Sequence, residues 1–112
     1  MEQATKKVIT RNELDAVING IRHGRLFRLV FKRKYPYFKC GEYVTHADVT
    51  AQLGVSHPFK TELTPKGVGK TFAERRADGL LGYYDMKQKA YRECLINNIL
   101  MIVYGGTKYI VQ

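Results

Sequence analysis

The sequence predicts a mainly β fold, a small barrel of five or six strands with an N-terminal capping helix and one long loop. Three observations lead to this prediction. Residues 80–112 alternate short aromatic and aliphatic runs with tight turns, residues 10–13 have the signature of a helix start, and residues 25–33 alternate apolar and basic side chains. A chain of 112 residues is expected to form a single domain.

Residues 1–9 are expected to be an N-terminal tail, and residues 10–24 a helix. Thr10 and Glu13 fit a capping box, in which each side chain bonds to the other residue's backbone amide. The apolar stripe that follows, at helical spacing, is predicted to pack over one end of the barrel. Gly24 is the expected stop signal.

The barrel is expected to occupy residues 25–112. Its first strand covers residues 25–33, and Tyr35-Pro36-Tyr37 predicts a turn or a bent edge, because proline donates no ladder hydrogen bond. Residues 38–44 return as a second strand. Residues 45–78 have a weak pattern with scattered proline and glycine, and we expect one long loop there, within which residues 48–53 suit either a strand or one helical turn.

The end of the chain predicts hairpins. Residues 99–104 form a continuous apolar run, and Gly105-Gly106 then suits a two-residue turn, because such turns need positive φ. Residues 81–86 and 91–95 flank another turn. The predicted core comprises Leu14, Val17, Ile18, Ile21, Phe27, Leu29, Phe31, Ile99, Met101, Val103 and Ile110.

The charge is unbalanced. The chain has 19 Lys and Arg against 10 Asp and Glu, a net charge of +9, which favours a polyanionic partner such as nucleic acid, an acidic protein face or anionic lipid. No apolar run approaches the ~20 residues that cross a bilayer, and residues 1–7 lack the apolar segment of a secretory signal. We therefore expect a cytoplasmic location and no membrane partner.

The strongest candidate site is a basic segment with interleaved aromatic residues, which contains no acid between Arg22 and Lys39. Cations there can contact phosphates, and Tyr35 and Tyr37 can stack on unpaired bases. The alternative is that Phe27 and Phe31 belong to the core and the cations form a solvated face. The predicted nucleic-acid-binding residues, including cations from other segments, are Arg25, Arg28, Lys32, Arg33, Lys34, Tyr35, Tyr37, Lys66, Lys70, Arg75, Arg76 and Arg92.

Other motifs give little chemistry. Gly67-Val68-Gly69-Lys70-Thr71 ends like a phosphate-binding loop, but Thr64 stands where that motif needs glycine, so we expect a flexible basic loop. Cys40, Cys94 and the three histidines lack metal-ligand spacing. Arg92 either contacts phosphate or pairs with Asp85 or Glu93. No catalytic constellation is present, so the sequence predicts a non-enzymatic protein without cofactor or metal.

The end of the chain contains five short motifs, Leu80-Leu81-Gly82-Tyr83-Tyr84-Asp85-Met86, Tyr91-Arg92, Asn97-Asn98-Ile99, Gly105 and Tyr109. In this order they resemble a family of small SH3-type, Sm-like barrel proteins related to WYL domains. That family is encoded mostly by phages and by bacteria carrying phage genes. Leu53-Gly54-Val55 and Gly67–Lys70 match its Leu-Gly-Val segment and glycine-rich basic loop. Two departures are a longer loop over residues 56–77 and Asn97-Asn98 where an aspartate is typical.

The resemblance implies the barrel fold and a phage-like origin, hence the cytoplasm of a bacterial host. WYL domains in general look like sensors of nucleic acid or nucleotides, in agreement with the charge. The predicted function is a non-enzymatic, phage-encoded module that binds nucleic acid, with single strands favoured. One alternative is a modulator that docks on an acidic host enzyme or defence factor through the 45–78 loop or a strand edge. Another is a nucleotide sensor at Gly67–Lys70. Sm-like barrels often form rings, so a homo-oligomer stays open.

Overall fold

The computed structural model describes residues 5–54 and 76–112, which form one α-helix, seven β-strands and a short 3-10 helix. The elements in chain order are β1 Thr5–Ile9, α1 Arg11–Asn19, β2 Phe27–Lys39, β3 Glu42–Gln52, β4 Leu80–Asp85, β5 Ala90–Leu95, the 3-10 helix Ile96–Asn98, β6 Ile99–Tyr104 and β7 Thr107–Val111. The prediction of a mainly β fold is confirmed. None of the helices in the described ranges is long and apolar enough to cross a membrane.

The strands form one sheet in the order β1-β7-β6-β2-β3-β4-β5. Its pairs are antiparallel, except that β1 runs parallel to β7. Strands β1 and β5 are the edges, and over the described ranges they do not pair with each other, so the sheet is open. It has seven strands rather than the five or six expected, in part because Thr5–Ile9, predicted as a tail, is a strand. Ile9, only 2% exposed, holds β1 against the core.

Helix α1 starts where the sequence predicts. The Thr10 side chain accepts from the Glu13 amide, and the Glu13 carboxylate accepts from the Thr10 amide at 3.1 Å. The helix ends at Asn19 rather than near Gly24. Gly20 closes it with amide bonds to Ala16 and Val17, and Gly24 instead donates to the Leu53 carbonyl at 2.9 Å. This bond joins the segment after the helix to the residue that follows β3.

Strands β2 and β3 are longer than predicted and form one hairpin. Lys39 pairs with Glu42 across Cys40-Gly41, whose φ values of 52° and 83° are those of a two-residue primed turn. The predicted turn at Tyr35-Pro36-Tyr37 lies inside β2, and residues 45–52, predicted as loop, belong to β3. Proline is tolerated because it sits in a bulge, where no ladder hydrogen bond is required.

Most of the predicted core is buried, but strand β6 presents the opposite face from the one expected. Val30 pairs with Met101 and Phe31 with Ile99, so Leu100 is an extra residue that reverses the alternation. Ile99 and Ile102 are both 0% exposed, whereas Met101 and Val103 lie half-buried on the other face. Ile110 is half-buried as well, because it pairs with Met101. Val17 packs against the core from its edge.

Candidate nucleic-acid interface

The β2–β3 hairpin continues beyond the body of the sheet. Strand β6 pairs with β2 no further than Phe31, and β4 pairs with β3 only at Ala51 and Gln52. We call residues 33–44 the arm. Over the described part of the chain, its strands pair only with each other, and residues 34–43 are all exposed. The arm therefore contributes side chains to solvent rather than to the core.

A bulge separates the arm from the sheet. Lys32 pairs with His46 and Tyr37 with Val44, so four residues of β2, 33–36, lie opposite Thr45 alone. Such bulges bend and twist a strand. Tyr35, at 78% exposed, is the most exposed large apolar or aromatic residue within residues 5–54 and 76–112. The prediction that Tyr35 and Tyr37 are exposed is confirmed, although a bulge rather than a turn exposes them.

The arm carries a second aromatic pair that the sequence did not single out. Phe38 and Tyr43 pair across the hairpin and therefore project from the same face, with ring centroids 5.2 Å apart and planes at 70°. They remain 62% and 68% exposed. The sequence interpretation read residues 38–44 as one strand, which hid this pairing. Recognition of Cys40-Gly41 as a two-residue turn would have placed Phe38 opposite Tyr43.

Cations accompany the other rings of the arm. The Arg33 guanidinium lies 5.1 Å from the centre of the Tyr37 ring, and the Lys34 ammonium 5.4 Å from that of Tyr35. Both distances are within cation–π range. Lys32 and Lys34 also line a groove of about 110 Å³ between β2 and β5, whose apolar walls include Phe31 and Cys94. Five predicted residues, Lys32, Arg33, Lys34, Tyr35 and Tyr37, are thus adjacent.

Other predicted cations lie elsewhere and have protein partners. Arg28 donates to both carboxylate oxygens of Asp48 at 2.8 and 2.6 Å, and these hydrogen bonds hold the pKa of Asp48 below its usual value. Arg76 donates to Asp15 at 3.0 Å and to Asn19 of α1. Arg25 is exposed in the segment before β2. Lys66, Lys70 and Arg75, with the whole glycine-rich loop, lie outside the described residues.

The β4–β5 hairpin differs from its predicted role as a surface charge pair. Asp85 is 5% exposed, and its carboxylate accepts from the turn amides of Lys87 and Gln88 at 3.0 and 3.1 Å. It is a turn-forming residue. Arg92 is exposed on β5 and pairs in register with Tyr83.

Two observations bear on chemistry. Within residues 5–54 and 76–112, no group of three or more His, Cys, Asp or Glu side chains is placed to hold a metal ion. Burial, and to a lesser degree Glu93, raises the pKa of the Cys94 thiol to about 12, whereas Cys40 is exposed at the tip of the arm. Cys94 is therefore a neutral core side chain at physiological pH.

Comparison of the chain with protein-family models, with curated proteins and with solved structures finds no match. The geometry of the arm therefore carries the functional interpretation.

Proposed function

We propose that this protein binds single-stranded nucleic acid through the arm. The observation that carries the proposal is the Phe38–Tyr43 pair, two rings that contact each other and remain mostly exposed on one face of a hairpin. Such a cross-strand pair stabilises the hairpin, adds nothing to the core, and leaves both rings accessible to a partner. The flat π-faces of unpaired bases match such rings, and duplex bases, already stacked, do not.

The charge of the arm supports the same partner. Arg33 and Lys34 lie beside the rings of Tyr37 and Tyr35, Lys32 precedes the arm, and Lys39 adds a cation next to the turn. The only acid between residues 33 and 44 is Glu42, opposite Lys39. Cations beside exposed rings are the usual means by which proteins bind single strands with little sequence preference.

Finer features of the protein belong to the same proposal. We propose that the open sheet curls into a barrel of the SH3 or Sm-like type, that the protein is related to WYL domains and phage-encoded, and that it acts without catalysis in the cytoplasm of a bacterial host. The groove that β2 and β5 line together supports a barrel. These two strands are three positions apart in the sheet order, with β3 and β4 between them, yet they line one groove, as expected of a sheet that curls.

The first experiment is fluorescence anisotropy of labelled single-stranded DNA, single-stranded RNA and duplex DNA, each at about 50 and 200 mM salt. We expect submicromolar binding to a single strand that persists at the higher salt, because stacking is not screened. Equal and weak binding to all three that vanishes at the higher salt would contradict the proposal. Such generic binding would redirect the search to an acidic protein partner.

Matched variants assign the binding to the rings. Phe38→Leu and Tyr43→Leu keep apolar bulk on the strand but remove the π-face, and each should weaken single-strand binding about tenfold, since stacking contributes on the order of 1–3 kcal/mol per base. Tyr91→Leu is the control. Tyr91 pairs with Tyr84 across the β4–β5 hairpin, with ring centroids 6.4 Å apart, in similar edge-to-face geometry. Equal losses in all three variants would refute a role for the arm.

A further inference from the structure

Two arginines, Arg92 and Arg33, lie near the buried Tyr83. Strand β5 buries Cys94 against Leu81, and its residues alternate in facing, so Arg92 shares the face of Cys94. Arg92 is paired with Tyr83, which is 3% exposed. Arg92 is itself exposed, so its guanidinium can reach an anion in solvent although it stands beside a buried tyrosine.

Arg33 approaches the same tyrosine from strand β2. Phe31, two residues earlier, packs its ring edge-to-face against Tyr83 with centroids 6.1 Å apart. Arg33 is half-buried between two exposed lysines, as expected for a side chain that turns inward. Its Nε is buried and has no hydrogen-bond acceptor among the described residues. A buried N–H without an acceptor costs about 1–3 kcal/mol, so a ligand that supplies one would recover that cost.

The third donor is the Tyr83 hydroxyl. Burial raises the pKa of this phenol well above its usual value, against the opposing effect of the Arg92 and Arg33 charges, so it keeps its proton at physiological pH. The nearby Asp85 carboxylate is engaged by the turn amides. The charges of two guanidinium groups thus act on one phenolic O–H, and guanidinium forks suit phosphate oxygens in particular.

We propose that Arg33, Arg92 and Tyr83 form a site for one phosphate group at the base of the arm. The site rests on the proposed function, in that the nucleic-acid backbone would supply the phosphate. This site would fix the nucleic-acid strand at the point where the nucleic acid leaves the rings of the arm. The Tyr37 ring, which lies over the Arg33 guanidinium, would hold that group in place.

One experiment tests the site without nucleic acid. The Nε–Hε signals of the arginines are followed by ¹H–¹⁵N NMR while inorganic phosphate is added, with sulfate and chloride for comparison. We expect a saturable shift of the Arg33 signal that Arg92→Gln abolishes. An Arg33 signal that phosphate moves no more than chloride does would overturn the proposal.

A second experiment tests the source of the phosphate. Arg33→Gln and Arg92→Gln should each weaken single-strand binding about tenfold, and the double variant little more than either, because both lose the same phosphate contact. The slope of log K against log salt should become shallower by ~0.7, the value for one phosphate on a single strand. The control is Lys6→Gln, which removes one exposed charge on the far edge strand β1.

The outcomes separate the two proposals. Saturable phosphate binding without any binding of oligonucleotides would keep the site, assign it to a free anion and refute the proposed function. Oligonucleotide binding that depends on Phe38 and Tyr43 but treats both arginine variants like Lys6→Gln would refute the site alone. In that case Arg92 would serve to keep the edge strand β5 from pairing with other chains, and Arg92→Gln would self-associate in light scattering.

Discussion

The extra residue at Leu100 makes a prediction about which side chains of β6 stabilise the fold. Ile102 is 0% exposed and pairs with the equally buried Leu29, whereas Met101 is half-buried on the opposite face. Truncation of a fully buried isoleucine to alanine costs about 2–5 kcal/mol, because apolar contacts are lost and a cavity remains. Met101→Ala removes a side chain of similar size that is only partly packed, so it should cost about 1 kcal/mol.

Urea unfolding followed by circular dichroism gives the free energy of unfolding of both variants. We expect Ile102→Ala to lose at least ~2 kcal/mol more than Met101→Ala. A larger loss for Met101→Ala would refute the bulge, since a regular strand through residues 99–103 would point Met101 inward. Leu100→Ala should have a small effect, because Leu100 is the residue that the partner strand does not match.

Three further predictions concern local structure. Gly54→Ala should destabilise the protein by about 2 kcal/mol more than Gly79→Ala. Both glycines have positive φ, but a Cβ at Gly54 would lie 2.5 Å from Cγ and 2.6 Å from Cβ of His23, whereas Gly79 faces open space. Equal melting temperatures of the two variants would contradict this contact. Cys40 should react with a thiol reagent at neutral pH and Cys94 only after unfolding, and rapid labelling of both in the folded protein would show that Cys94 is accessible. The thiol of Cys94 ionises near pH 9 when the protein is unfolded and near 12 when it is folded, so its contribution to stability is present below pH 9 and is lost, by about 4 kcal/mol in all, as the pH rises towards 12. Chemical denaturation at pH 8 and pH 10.5 measures this loss, with Cys94→Ala as the control. A pH dependence of stability that the substitution leaves unchanged would refute the prediction.

The sequence predicts local features of this fold well. The capping box at Thr10 and Glu13 and the turn at Gly105-Gly106 are both confirmed, because each depends on residues that are neighbours in the chain. The predicted helix end was wrong: the helix closes at Gly20, and the Gly24 amide bonds instead to the Leu53 carbonyl, far away in sequence. Periodicity alone contains no information on such a partner.

Bulges explain the remaining errors. One extra residue at Leu100 reversed the facing of Met101 and Val103, and strand pairing carried the error to Ile110. The larger bulge at residues 33–36 allows Pro36 to lie within a strand. The sequence pattern indicates a turn at this proline and therefore does not predict the arm. At the candidate site, composition correctly indicated that Tyr35 and Tyr37 are exposed. Only the pairing register shows that Phe38 and Tyr43 lie side by side.

The arm can be removed without disturbing the sheet, which makes its role directly testable. Arg33 and Thr45 lie next to the last regular pair, Lys32–His46, on the side of the arm. Replacement of residues 34–44 by Asn-Gly would therefore join Arg33 to Thr45 through a two-residue primed turn. Residues 34–43 are all exposed, and the replacement therefore removes almost no core contact. We expect the melting temperature to change by a few degrees at most and single-strand affinity to fall to that of the charge alone, which disappears at about 200 mM salt. A shortened protein that stays folded and binds single strands as well as the full chain would show that the arm is not the interface.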